Sequence, residues 1–209
     1  MVRMMKIVSM VLLMCFSSRI FSQKTLHNGI LMKTGLAAGM TFNHPEAAGM
    51  GGSMRTGMFA GVQTTISATS RFSFKAQFLY AQSGISMYAM DEAPGRRIHV
   101  NLHEFMAPLL IVYNPFRKWY VEGGVYGSLL VDAVSDASVE GRENEFSLFR
   151  PRLAGWILGT SFTIAPMLDA GVGYRQMITP LLRQGLSGMV FTTSGSRSFI
   201  QLSLSLTVK

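Results

Sequence analysis

Four charged side chains stand out in a chain that has few: Lys75, Glu104, Glu122 and Arg175. Lys75 and Arg175 fall on the polar side of segments in which apolar residues alternate, and extending the strand faces inward adds Glu104 and Glu122 to the same set. If the apolar side meets hydrocarbon, the charges must turn the other way, because a Lys or Arg at mid-depth in lipid costs about 2–4 kcal/mol. Two cations and two carboxylates in one enclosed space are expected to pair, since an unpaired buried charge is expensive. The chemistry this predicts is a structural network of ion pairs filling an interior. A path for protons or solutes is the functional alternative.

Other candidates for chemistry are weaker. His99, His103 and Glu104 invite a metal reading, but on a strand four residues span about 13 Å, so the two imidazoles cannot share an ion. No metal site is expected. His44, His99 and several loop serines would suit a hydrolase acting at a membrane rim, yet no spacing singles out a nucleophile and its base. No catalytic residue is assigned. The Gly49–Gly52 cluster lacks a following helical pattern, so it is a loop tip and not a phosphate cradle. No cofactor site is expected. The sixteen methionines read as adaptable apolar filler.

The elements that position these residues are strands. From Ser198 to Lys209 the apolar set Ile200, Leu202, Leu204, Leu206 and Val208 alternates with Gln201, Ser203, Ser205 and Thr207. A period of two marks a strand with unlike faces. The same pattern covers Phe72–Gln82, Leu153–Ile164 and Leu168–Ile178, and more weakly Ile30–Phe42 and Gly57–Ser67. Leu102–Tyr113 and Trp119–Val131 are strand-rich but partly continuous in hydrophobicity. This makes eight strands, the size of the smallest common bacterial barrel. Their connections alternate: short at Ala68–Arg71, Asn114–Lys118 and Ala165–Met167, long at Asn43–Arg55, Ser83–Asn101, Asp132–Arg152 and Thr179–Arg197. Short turns on one side and long loops on the other predict an all-β, eight-stranded antiparallel up-and-down transmembrane barrel. Closure is demanded because lipid offers no partner to backbone N–H and C=O groups. Strand glycines, among them Gly39, Gly123, Gly127 and Gly155, are expected to relieve crowding inside so narrow a barrel. Phe42, Phe72, Tyr113, Phe116, Trp119 and Trp156 fit interfacial girdles.

Composition agrees with a membrane protein that lacks spanning helices. Of the 209 residues 48% are apolar and 14% charged, with a formal charge of +8. Such a chain is not intrinsically disordered. Residues 1–22 carry a basic start (Arg3, Lys6), an apolar run from Ile7 to Phe16 and a small residue, Ser22, before Gln23. They read as a cleaved secretory signal peptide, leaving residues 23–209 as one barrel domain. A membrane anchor or a lipoprotein signal at Cys15 is the alternative. Cleavage removes the only cysteine and lowers the charge from +8 to +5. The remaining basic residues are dispersed, so no nucleic-acid partner is expected. Residues 132–149 carry five acids against Arg142, whereas the last long loop carries Arg183 and Arg197. Those loops would contact each other, bind lipopolysaccharide through divalent ions, or meet a protein.

Several segments resemble the PorT-like outer-membrane β-barrel family of Gram-negative bacteria. They are Gly35–Asn43 (GLAAGMTFN), Gly57–Val62 (GMFAGV), Phe72–Gly84 (FSFKAQFLYAQSG), Pro108-Leu109-Leu110 and Tyr120–Tyr126 (YVEGGVY). The sequence departs from the family's pattern at Met106, where a Glu is frequent, and in closing on Thr207-Val208-Lys209 instead of an aromatic residue. The resemblance implies fold and outer-membrane location, with the barrel assembly machinery as a partner during biogenesis. The expected function is a structural or interaction role through four extracellular loops, with both termini periplasmic, no wide pore and no enzymatic activity. A component or assembly factor of a PorT-type secretion system is the first alternative, and a rim-located lipid-modifying enzyme the second. A soluble ligand-binding barrel is the competing fold reading; it would hold its apolar residues inside.

Overall fold

Alternating β-branched, aromatic and small residues give the backbone no helical stripe to bury, and among the described residues every long element is a strand. The computed structural model describes residues 24–26, 30–45, 55–88, 97–138, 141–144, 150–179 and 197–208. Ten strands form in order: β1 (Lys24–Leu26), β2 (Ile30–Pro45), β3 (Arg55–Ser67), β4 (Phe72–Tyr88), β5 (Arg97–Phe116), β6 (Trp119–Ser138), β7 (Gly141–Asn144), β8 (Arg152–Ala165), β9 (Leu168–Met177) and β10 (Arg197–Val208). Eight of them run β2-β10-β9-β8-β6-β5-β4-β3 as an antiparallel sheet, and β2 pairs with β3 to close it. β1 adds to β2, and β7 adds to β6. The barrel is therefore closed, with backbone partners all the way round.

Local chemistry fixes the short turns. Between β3 and β4, Thr69 Oγ1 accepts from the backbone N–H of Phe72 at 3.0 Å and of Arg71 at 3.3 Å, while Ala68 and Thr69 N–H donate to the Phe72 carbonyl. A threonine hydroxyl standing in for a backbone turn partner is a common way to reverse a chain. Arg117 and Lys118 make the turn from β5 to β6, and Pro166 and Met167 that from β8 to β9. β2 and β3, β4 and β5, β6 and β8, and β9 and β10 follow one another from their opposite ends.

The faces are inverted relative to a soluble protein. Ile200, Leu202, Leu204 and Leu206 of β10, Phe72, Phe74 and Phe78 of β4, and Leu109 and Ile111 of β5 all point out of the barrel. Water would penalise this surface by about 25 cal/mol for each Å² of apolar area. Hydrocarbon does not, so the belt defines a lipid-facing zone and rules out the soluble barrel. No helix of the described residues is long and apolar enough to cross a membrane; the crossing is made by strands. Aromatic rings frame the belt. Phe72 and Tyr113 (centroids 5.0 Å apart) and Trp119 and Phe162 (5.6 Å) lie at the short-turn end. Tyr80 with Phe105 (5.6 Å) and Trp156 with Tyr174 (5.4 Å) lie towards the long connections.

Inside, small and large residues interlock. Gly39 pairs across from Phe59, and a Cβ on Gly39 would stand 2.5 Å from that ring. Gly155 stands in the same relation to Tyr126, again at 2.5 Å. These glycines give the rings their space, as the sequence led us to expect. Gly127 does not: it is exposed on the outer face, with nothing within 4 Å of an added Cβ.

Several strands are longer than the sequence indicates, β2 and β3 by two or three residues and β4, β5 and β6 by more. β4 continues to Tyr88, β5 begins at Arg97 and β6 runs to Ser138, inside stretches expected to be loop. Beyond the belt water bounds the sheet, so the polar–apolar contrast that marks a strand fades there. A β-bulge explains the continuous hydrophobicity of the β6 segment. Glu104 opposes Leu130 and His103 opposes Asp132, leaving Val131 as the extra residue. Leu129, Val131 and Asp132 thus face outward while Leu130 and Ala133 are buried.

Candidate functional site: the barrel interior

Inward-facing residues come from alternate positions on all eight strands and sort into layers. At the short-turn end lies a polar cavity of about 170 Å³. Hydroxyl, amide and charged side chains line it because the inward positions near these turns are Ser67, Ser73, Asn114, Ser161, Thr163 and Thr207. At its inner end Lys75 of β4 donates to Glu122 of β6 at 2.5 Å, and Ser161 of β8 donates to the same carboxylate oxygen at 2.6 Å. Gln77 Nε2 donates to Gln63 Oε1 at 3.1 Å, and that oxygen also accepts from Ser205 at 3.3 Å. Asp169 accepts from Thr163 at 2.6 Å. Each carboxylate here has a donor, as burial requires.

Further in, an apolar layer closes the barrel. Ala37, Phe59, Leu79, Ala81, Met106, Leu110, Tyr126 and Ile157 form one buried cluster. Against it sits Arg175 of β9, only 1% exposed. Its Nη2 stands 3.9 Å from Glu104 Oε1, and Nη1 points at the sulfur of Met106. The guanidinium lies 4.2 Å from the ring centre of Phe199 and 5.2 Å from that of Tyr126. A weakly hydrated, planar cation between aromatic faces is favourable where water is excluded. Towards the long connections, Val100, Leu102, Leu130 and Ala133 are again buried and apolar.

The four charged residues singled out from the sequence therefore form two separate pairs. Lys75 meets Glu122 and Arg175 meets Glu104, with the apolar cluster between them. Lys75 and Glu122 stand at the cavity, and Arg175 and Glu104 stand on the far side of the apolar cluster. Two features were not legible beforehand. The aromatic sandwich around Arg175 joins β6, β9 and β10: register sets Phe199 directly opposite Arg175, and the curvature of the sheet brings Tyr126 in from β6, beyond β8. The cavity forms from inward positions on all eight strands, each of which alone reads as an ordinary polar strand position.

The pleat separates His103 from Glu104. His103 faces outward while Glu104, the next residue, faces in. His103 Nδ1 shares a hydrogen bond of 2.6 Å with the Tyr80 hydroxyl, and Asp132 lies opposite in register. This polar trio sits on the outer wall towards the long connections, with no serine or cysteine bonded to it among the described residues. The side chains of His44 and His99, and residues 1–22 with the expected cleavage site, lie outside the described residues.

A polar-cored, lipid-belted barrel is the architecture of outer-membrane proteins. The chain belongs to the outer membrane protein beta-barrel domain family, whose sequence profile matches residues 21–183. Its fold is similar to that of Neisserial surface protein A, at 13% identity and a TM-score of 0.50, covering 84% of this chain and 96% of that one. It is also similar to Ail, the attachment invasion locus protein of Yersinia pestis, in complex with the heparin analogue sucrose octasulfate. There the identity is 9% and the TM-score 0.51, over 84% of this chain and 98% of Ail. No curated protein sequence matches.

Proposed function

We propose that this protein is an integral outer-membrane barrel that acts through its long connections, as a structural or interaction component, without a wide pore and without enzymatic activity. The observation that carries this reading is the filled interior. Arg175, Phe199, Met106 and the apolar cluster occupy the cross-section that a channel would need, as side chains do in small barrels. What remains available for work is the end bearing the long connections. There β4, β5 and β6 extend past the belt, and β7 widens the sheet.

Short turns are periplasmic in bacterial barrels. The Ile30 end of β2 and the Val208 end of β10 lie at that same end, so both termini are periplasmic in this reading and a cleaved signal peptide precedes the barrel. Lipopolysaccharide then surrounds the outer rim. The likeness of Phe72–Gly84 and Tyr120–Tyr126 to PorT-like barrels supports a place in that branch of the family, with secretion-system proteins as candidate contacts. Affinity purification of the tagged protein from native membranes after chemical crosslinking tests the reading. A stoichiometric protein partner lost on shortening residues 139–149 is the expected result. Recovery of the protein in the soluble periplasm, or a nanosiemens conductance in planar bilayers, would overturn it.

A further inference from the structure

The polar cavity at the short-turn end is larger than the interior network needs. Its volume is about 170 Å³, whereas one water needs about 10–15 Å³. It accommodates a solute of several heavy atoms. Beyond it lie the Lys75–Glu122 pair and the apolar layer, so it is blind and suits binding instead of passage.

An account of its charges indicates what would bind. Glu122 is committed to Lys75 and Ser161. Among the described residues Asp169 accepts from a neutral hydroxyl, that of Thr163, and from no cation. Lys33, on the wall near the mouth, has no ion-pair partner among the described residues. Asn114 Oδ1 is buried without a donor. Internal pairing therefore leaves one ammonium, one carboxylate and one amide oxygen in the same cavity. A simple anion drawn to Lys33 would also meet Asp169, and a simple cation drawn to Asp169 would meet Lys33. A molecule bearing both charges satisfies both groups.

We propose that this cavity binds a small zwitterion of the amino-acid or dipeptide class, its carboxylate towards Lys33 and its ammonium towards Asp169. Each partly desolvated charge of the wall then gains an opposite one, which neither water nor a single-charge solute supplies.

The test uses the purified full barrel in detergent micelles, with glycylglycine as the probe and acetate and ethylamine as single-charge controls, followed by backbone amide chemical shifts. Saturable shifts at the short-turn ends of β2 and β9 are expected with glycylglycine, and binding at least tenfold weaker with either control. Lys33→Met and Asp169→Asn should each weaken glycylglycine at least tenfold while leaving the heat-modifiable migration of the folded barrel intact. Should Asp169→Asn not fold, Lys33→Glu replaces it and must turn the preference towards ethylamine. Absence of saturable shifts overturns the proposal. So does acetate binding as tightly as glycylglycine, or binding that is indifferent to both Lys33 and Asp169 substitutions.

Discussion

Arg175 shows what one residue does in this barrel. Its guanidinium is buried between Phe199 and Tyr126 and lies 3.9 Å from Glu104. Removing one partner of such a pair leaves the other charged in a dry site, at about 3–5 kcal/mol, while replacing both with apolar groups is far milder. Arg175→Met and Glu104→Leu are thus each expected to lower the urea midpoint of the folded barrel in detergent. The double variant Glu104→Leu/Arg175→Met should recover most of the loss. A double variant as unstable as the sum of the singles would show that the pair has no coupling. Gly39 tests packing at the same scale. A methyl group there meets the Leu202 carbonyl oxygen and, at 2.5 Å, the Phe59 ring, and Gly39→Ala should destabilise by about 1–3 kcal/mol through overpacking. Gly127→Ala, on the open outer face, should stay within about 0.5 kcal/mol. Tryptophan fluorescence during urea unfolding reads both.

At the scale of the strand, the sign of each position follows from the pleat, and so does its tolerance of charge. Leu109 faces outward near the middle of β5, and its neighbour Leu110 is buried within. An arginine in place of Leu109 should cost about 2–4 kcal/mol in lipid, but at Gln82, on the outer face near the end of the belt, about 0–1 kcal/mol. Refolding yield into vesicles at graded urea concentrations measures this, and equal effects at the two positions would mean that the belt is misplaced. The register of most strands was legible because polar and apolar residues alternate without a break, as in β10. Two features hid the rest. The bulge at Val131 breaks the period in β6, and the extensions to Tyr88 and Ser138 leave lipid, where no apolar face is required.

For the whole molecule, closure and a filled interior lead to two expectations. An unboiled sample in detergent should migrate differently from a boiled one on electrophoresis, because a closed hydrogen-bonded barrel resists unfolding by detergent alone. Planar bilayers containing the protein should show no steady open channel, since the apolar cluster and Arg175 block the section. A stable conductance would mean that this layer opens. The sequence by itself determined the strand character, the strand count, the alternation of short and long connections and the outward belt. All of these follow from a two-residue period that each strand carries locally. The inward placement of Lys75, Glu104, Glu122 and Arg175 was legible on the same ground. Who meets whom was decided only by the tertiary structure. Pairing Lys75 with Glu122, stacking Arg175 against Phe199 and gathering Lys33, Asn114 and Asp169 around one cavity depend on register and closure. These bring together residues far apart in the chain, and no local period encodes them.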